Sequence, residues 1–189
     1  MFRKLVLAAA LLAAPAFAED AIGFPEKLDR DDFQAVIADT GRVMVAGQPT
    51  ADALRDLAAN GVTTIVNLRT QPEMDNRNAV PFDEAALLEE LGLTYVHIPL
   101  GRPDTPYTPA AVEQFAKVMD EADGEILLHC TVAWRASHLW AAYLVKHKGY
   151  SLEDAIANAD AINLNGYRSP GKQPIELFLE LEEKPEGLD

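Results

Sequence analysis

The stretch EILLHCTVAWRASHLWAAYL, residues 125–144, contains the only cysteine of the chain, at the point where the residue pattern changes. Residues 125–130 form a nearly continuous apolar run, which is typical of a buried strand in a parallel sheet. From Arg135 the pattern becomes amphipathic, and it ends at Gly149, which predicts a helix closed by glycine. Cys130 is therefore predicted to lie between the carboxyl end of a strand and the start of a helix.

Helices and apolar strands alternate upstream of this stretch. A helix capped by Thr50 ends at Gly61 and leads into the β-branched run of residues 62–68. A second, short helix ends at Gly92 and leads into a strand over residues 94–100. The alternation predicts an α/β fold with a largely parallel central sheet flanked by helices.

The remaining elements complete this prediction. Thr108 and Pro109 open a third helix, which leads into the strand before Cys130. We expect residues 42–48 to form an edge strand of the sheet. Two helices follow Gly149, one from Ser151 to about residue 161 and one over residues 174–183.

The first residues have the pattern of a secretory signal peptide. Arg3 and Lys4 precede the apolar run of residues 5–14, and Ala16-Phe17-Ala18 fits a small-x-small cleavage site. We expect residues 1–18 to be removed, leaving residues 19–189 as one domain that is periplasmic or secreted. No segment approaches the roughly 20 apolar residues of a membrane-spanning helix, so no stable membrane span is predicted.

Charge and cysteine content narrow the possible partners. A formal net charge of −14 disfavours nucleic acid as a partner. A phosphorylated ligand remains compatible, because one arginine and a few backbone amides act locally while salt screens distant charges beyond about 10 Å. A single cysteine forms no internal disulfide, which leaves a packed residue, an intermolecular partner or a reactive thiol.

The segment around Cys130 combines a nucleophile with an anion site. The ligand crevice of an open α/β sheet lies outside the carboxyl ends of its strands. There the free N–H groups and the dipole of the helix start attract an anion and favour a thiolate. Arg135 can offer a bidentate fork to an oxyanion. Arg69, at the end of the strand over residues 62–68, is expected to point toward the same crevice.

Two stretches carry a family resemblance. HCTVAWRAS, residues 129–137, resembles the active-site loop of cysteine-dependent phosphatases and of rhodanese-like sulfurtransferases. Together with VAGQPTADALRDLAANGVTTIVNLR and YVHIPL, it resembles the bacterial phosphatase-like domain of beta-lactamase hydrolase-like proteins, relatives of dual-specificity and tyrosine phosphatases. The resemblance covers most of residues 42–148. It implies a cysteine-phosphatase-like fold and a hydrolase of phosphorylated proteins or small molecules that needs no cofactor.

The resemblance also implies a role for each matching residue. Cys130 would be the nucleophile that carries a thiophosphate, and Asp104 in GRPDTPYTP would protonate the leaving group. His129 would support the site by tuning the thiolate. Ser137, one step after the usual hydroxyl position, and Arg69, from its place at a strand end, are further candidates for supporting it. The phosphate would be bound by Thr131, Val132, Ala133, Trp134, Arg135 and Ala136.

The loop departs from the family pattern in three ways. Four residues separate Cys130 from Arg135, as in rhodaneses, whereas tyrosine and dual-specificity phosphatases have five. Ala133 takes the place of the usual loop glycine, which costs on the order of 1 kcal/mol if that position requires a positive φ. Ala136 replaces the hydroxyl residue that commonly follows the arginine. Two alternatives therefore stay open, namely a sulfurtransferase with a Cys130 persulfide and an oxyanion-binding module with little turnover.

Other polar and aromatic residues give weaker signals. Trp134 and Trp140 are candidates for pocket walls, although tryptophans on such a helix are more often core residues. Tyr167 and Arg168 are candidates for reaching the site from a loop. A metal site is not predicted, because no metal-binding spacing connects the histidines, which are His97, His129, His138 and His147.

Overall fold

The computed structural model describes residues 22–165 and 171–185. The predicted signal peptide and the candidates Tyr167 and Arg168 lie outside these residues. No helix in the described ranges is long and apolar enough to cross a membrane. The strands are β1 (Glu26–Lys27), β2 (Ile37–Asp39), β3 (Val43–Ala46), β4 (Val62–Asn67), β5 (Thr94–His97) and β6 (Glu125–His129). The helices are α1 (Ala51–Ala59), α2 (Gln71–Asp75), α3 (Glu84–Glu90), α4 (Pro109–Glu121), α5 (Trp134–Lys148), α6 (Leu152–Asp160) and α7 (Pro174–Phe178).

The six strands form one mixed sheet in the order β1-β2-β3-β6-β4-β5. Strands β3, β6, β4 and β5 run parallel to one another, whereas β1 and β2 are added antiparallel beside β3. The helices cover both faces. The predicted α/β architecture, with a largely parallel central sheet flanked by helices, is therefore confirmed.

The apolar run of β6 is buried on both faces of the sheet. Ile126 and Leu128 pack into the layer that contains α4 and α5, while Leu127 packs into the layer of α1 and α3. Successive strand residues point to opposite faces. The alternation continues to the end of the strand, so that His129 lies on the α3 side and Cys130 on the α5 side.

Two predicted elements differ from the structure. Residues 42–48 were expected at the edge, but β3 lies inside the sheet because the unpredicted strand β2 pairs with it. At three residues, β2 is too short to show an alternating pattern. The last helix was expected over residues 174–183 but ends at Phe178, since Glu180 adopts a left-handed φ of 53° that a helix does not accommodate.

His138, one of the histidines considered as a metal ligand, is fully buried in α5 instead. Neither ring nitrogen has a hydrogen-bond partner among the described residues, and burial lowers the pKa of the imidazole to about 3. It is therefore neutral in the folded protein and takes up a proton below about pH 6.5 when unfolded.

This difference should make the protein less stable in acid. Because the folded-state pKa is depressed, the contribution of His138 is complete above about pH 6.5 and is lost as pH falls toward 3. The slope should reach up to about 1.4 kcal/mol per pH unit. Urea titrations of His138→Leu should show a flatter decline of the free energy of unfolding than the wild type. Equal slopes would contradict this prediction.

Candidate active site

The loop after β6 is fastened to the chain that follows β3. Cys130 N donates to the carbonyl of Ala46 at 3.2 Å, and Gln48 N donates to the carbonyl of Thr131 at 3.0 Å. Gly47 lies between these contacts, where a Cβ atom would be 1.7 Å from the Gln34 carbonyl oxygen. A side chain at this position would push the chain after β3 away from the backbone of Gln34, so this close approach requires glycine.

The backbone of Ala133 is left-handed, so the loop does require a positive φ at this position. Its φ is 67° and it immediately precedes α5, which begins at Trp134. A non-glycine residue in this conformation costs on the order of 1 kcal/mol. The loop reaches the helix start by the strained path that the sequence pattern indicated.

A cavity of about 470 Å³ opens over the loop and the start of α5. The structure brings most of the predicted phosphate-binding residues to its wall, while Ala133 and Ala136 are fully buried and do not line it. Trp134 contributes to the wall, whereas Trp140 is a core residue whose indole donates to Asn158. The lining residues are Cys130, Thr131, Val132, Trp134 and Arg135 of the loop, with Glu73, Gly101, Arg102 and Tyr107 from other segments.

Arg135 is held in one orientation by acceptors on both sides. Its two terminal nitrogens donate to the two carboxylate oxygens of Glu73, at 2.9 and 2.7 Å. They also donate to the carbonyls of Leu68 and Leu100 and to the Thr131 hydroxyl, at 3.3, 2.8 and 3.0 Å. Burial opposes the charge, but Glu73 outweighs it and raises the pKa of Arg135 above its usual value. The guanidinium is thus fixed beside Cys130 before any ligand arrives.

Glu73 is a site residue that the sequence interpretation missed. It lies on α2 and accepts from the backbone N and hydroxyl of Thr70, each at 2.9 Å, and from the Thr131 hydroxyl at 3.0 Å. Burial alone would raise the pKa of Glu73, but the bonds from Arg135 and Thr70 lower it to about 2. The carboxylate is therefore ionised at neutral pH. The available signal was the Thr-x-x-Glu capping box directly after a predicted strand.

Asp104, the predicted general acid, lies outside the lining of the cavity. It is exposed at the tip of a tight turn that Arg102 and Thr105 close with backbone hydrogen bonds of 3.0 and 3.3 Å. Gly101 and Tyr107, on either side of this turn, do line the cavity. The turn therefore borders the site, and the acid role of Asp104 stays a prediction.

Two predicted supporting residues point away from the cavity. The Ser137 hydroxyl is fully buried and donates to the carbonyl of Ala133 at 2.9 Å, within α5. His129 contacts Glu84 at 3.1 Å on the opposite face of the sheet from Cys130. Any effect of His129 on the thiol must therefore pass through the backbone or through the electrostatic field.

The contact of His129 belongs to a buried polar network below the loop. Glu84, the first residue of α3, accepts from Asn67 at 2.8 Å and from Gln48 at 2.7 Å, and Gln48 in turn accepts from Arg69 at 2.7 Å. All five side chains are almost completely buried. Despite burial, the bonds from His129, Gln48 and Asn67 lower the pKa of Glu84. The network ties the ends of β4 and β6 to the segment that fastens the loop.

Removing the acceptor of this network should destabilise the fold strongly. Glu84→Ala removes the acceptor that His129, Gln48 and Asn67 share in the buried network and should lower the free energy of unfolding by on the order of 3 kcal/mol. Denaturant titration measures the change, and the exposed Glu90→Ala at the other end of α3 is the matched control. A loss no larger than that of Glu90→Ala would contradict the assigned role.

The histidines are dispersed over the molecule. His97 contacts the carbonyl of Arg69 at 2.6 Å, and His147 pairs with Glu113 at 3.4 Å. Within the described ranges, no three side chains of the metal-binding types are grouped to hold an ion.

Comparisons with known proteins find a matching family model and curated relatives. A family model described as "DSP-PTPase phosphatase fused to NAD+ Kinase" matches residues 27–176. The beta-lactamase hydrolase-like protein of Xylella fastidiosa is 31% identical over 100 residues, which are 53% of this chain and 22% of that protein. The chain thus spans about a fifth of the length of this curated relative.

Solved structures share the fold. Tk-PTP in its active form matches with a TM-score of 0.59 and 20% identity, covering 77% of this chain and 94% of that one. A DUF442 protein from Shewanella putrefaciens matches with a TM-score of 0.58 and 23% identity, covering 78% and 91%. The predicted cysteine-phosphatase-like fold, with its strand, cysteine loop and helix, is confirmed.

Proposed function

Because the chain belongs to the family of dual-specificity-type phosphatase domains described as a DSP-PTPase phosphatase fused to NAD+ kinase, we propose that it hydrolyses phosphoric monoesters through a thiophosphate on Cys130. The observation that carries this proposal is that the thiol of Cys130 and the fixed guanidinium of Arg135 lie at the same site. Cys130 and Arg135 line one cavity at the start of α5, where backbone amides and the helix dipole favour an anion.

The proposed reaction has two displacement steps. The Cys130 sulfur attacks phosphorus, forming an S–P bond while the P–O bond to the leaving group breaks. Arg135 and the loop amides stabilise the charge on the equatorial oxygens. Water then cleaves the S–P bond, which releases phosphate and regenerates the thiol. The depressed pKa of Glu73 makes it a poor proton donor, so we assign that task to Asp104, whose turn borders the cavity.

The substrate and location are part of the proposal. A phosphorylated protein or small molecule suits an anion site at the start of α5 in a chain of strongly negative charge, and nucleic acid does not. The leader pattern of residues 1–18 supports export to the periplasm or the medium.

A sulfurtransferase is the second candidate, because four residues rather than five separate Cys130 from Arg135. Two assays on one reduced preparation distinguish the candidates, namely phosphate release from an aryl phosphate and thiocyanate formation from thiosulfate and cyanide. We expect phosphate release that tungstate inhibits, with no thiocyanate. Thiocyanate without phosphate release would favour the persulfide mechanism, and tungstate binding without either product would favour the oxyanion-binding module.

A further inference from the structure

We propose that Arg69 is a positioning residue of this site, which balances the charge of Glu73 so that the charge of Arg135 remains effective toward a phosphate dianion. The inference rests on the proposed function, because it concerns the same anion site. Balancing the charge of Glu73 is a task that no residue of the loop or of α5 performs.

The surroundings of Arg69 are unusual for an arginine. The residue is 3% exposed at the carboxyl end of β4, and one terminal nitrogen donates to the Gln48 side chain at 2.7 Å. Its Nε has no hydrogen-bond partner among the described residues and lies 3.9 Å from Glu73 Oε1. A buried N–H without a partner is costly, so a position that retains one calls for an explanation.

Glu73 supplies that explanation, since its carboxylate lies between two guanidiniums. One side makes the paired hydrogen bonds to Arg135, at 2.7 and 2.9 Å, and the same Oε1 atom is within ion-pair distance of Arg69. An ionised carboxylate with Arg135 as its only cation would neutralise the charge that is meant to attract the substrate. With Arg69 included, the three side chains together keep one positive charge.

The hydrogen-bond donors of Arg135 also indicate that Glu73 needs a second cation. A guanidinium has five N–H groups. The four on its terminal nitrogens already face Glu73, Thr131 and the carbonyls of Leu68 and Leu100. A bidentate grip on an oxyanion requires a terminal N–H to leave Glu73 or Thr131. This exchange is easier when Arg69 shares the charge of the carboxylate.

The other charged and titratable groups around the site do not supply this balance. Cys130 and Tyr107 add no positive charge, and Arg102 lies exposed at the rim. His129 is paired with Glu84 on the opposite face of the sheet. Burial lowers the pKa of Arg69, the charge of Arg135 lowers it further, and the negative charges of Glu73 and Glu84 oppose that lowering. The 3.9 Å separation makes Glu73 the nearest carboxylate partner of the Arg69 Nε.

Calorimetric titration with tungstate tests the proposal without requiring turnover. Arg69→Gln should raise the dissociation constant about tenfold, because one cation is lost from the site. Arg69→Lys, which retains the charge, should stay within about threefold of the wild type. Arg55→Gln removes the same charge from the exposed face of α1 and should change nothing.

The decisive variant is the double substitution Arg69→Gln/Glu73→Gln, which removes both charges. If Arg69 acts through Glu73, adding Glu73→Gln should restore binding to within about threefold of the wild type. A double variant as weak as Arg69→Gln, or an Arg69→Gln variant that binds normally, would overturn the proposal. Should Arg69→Gln not fold, tighter binding by Glu73→Gln alone supports the charge balance, and unchanged or weaker binding overturns it.

Tungstate binding tests the charge balance, whereas phosphatase activity tests the proposed function. Tungstate binding that depends on Arg69 in a protein without phosphatase activity would leave the charge balance standing and refute the function. Phosphatase activity with tungstate binding that is insensitive to Arg69 would refute the charge balance and leave the proposed function standing.

Discussion

Replacing Cys130 with serine should lower kcat/KM for an aryl phosphate at least about a thousandfold. The hydroxyl is nearly isosteric but is not ionised at neutral pH, so the attacking group is lost while the loop is retained. Cys130 is 1% exposed and packs into the core beside α5, where serine fits without creating a cavity.

Tungstate binding provides the control for Cys130→Ser. The loop amides and Arg135 remain in place, so the dissociation constant should stay within about tenfold of the wild type. A variant that binds tungstate and retains more than about a tenth of the wild-type rate would show that Cys130 is not the nucleophile.

Arg135→Lys should lower kcat/KM about a hundredfold or more, which is the usual cost of losing an oxyanion donor. An ammonium has three donors and no planar fork, so it cannot contact both Glu73 oxygens and also the carbonyls of Leu68 and Leu100. Tungstate should bind more weakly in the same variant.

Arg42→Lys is the matched control for this substitution. Arg42 also donates to backbone carbonyls, those of Ala122 and Gly124, but it precedes β3 and so lies at the end of the sheet opposite Cys130. Its replacement should leave kcat/KM unchanged. Equal losses in the two variants would indicate a general effect on folding instead of a role for Arg135 at the site.

The central part of the fold could be predicted because its signals are local. The apolar run of residues 125–130 and the amphipathic run after it specify β6, the loop and α5 through side-chain periodicity alone. The left-handed conformation at Ala133 could be anticipated from the usual glycine at that place in the resembling families.

Other features could not be predicted because they depend on contacts between distant segments. Glu73 lies on a five-residue helix with no periodic apolar stripe, and its contact with Arg135, 62 residues further along the chain, follows from the sheet order. The internal position of β3 depends on the three-residue strand β2. Side-chain direction explains why His129 and Ser137 miss the cavity although both are close to Cys130 in sequence.

The proposed mechanism can be tested by trapping the thiophosphate on Cys130. Mixing the reduced protein with excess aryl phosphate, quenching within a fraction of one turnover and analysing the peptide that contains Cys130 by mass spectrometry reveals what the thiol carries. We expect a phosphoryl group on Cys130 while aryl phosphate remains, and its loss once the substrate has been consumed. Unmodified Cys130 in a protein that releases phosphate at full rate would contradict it.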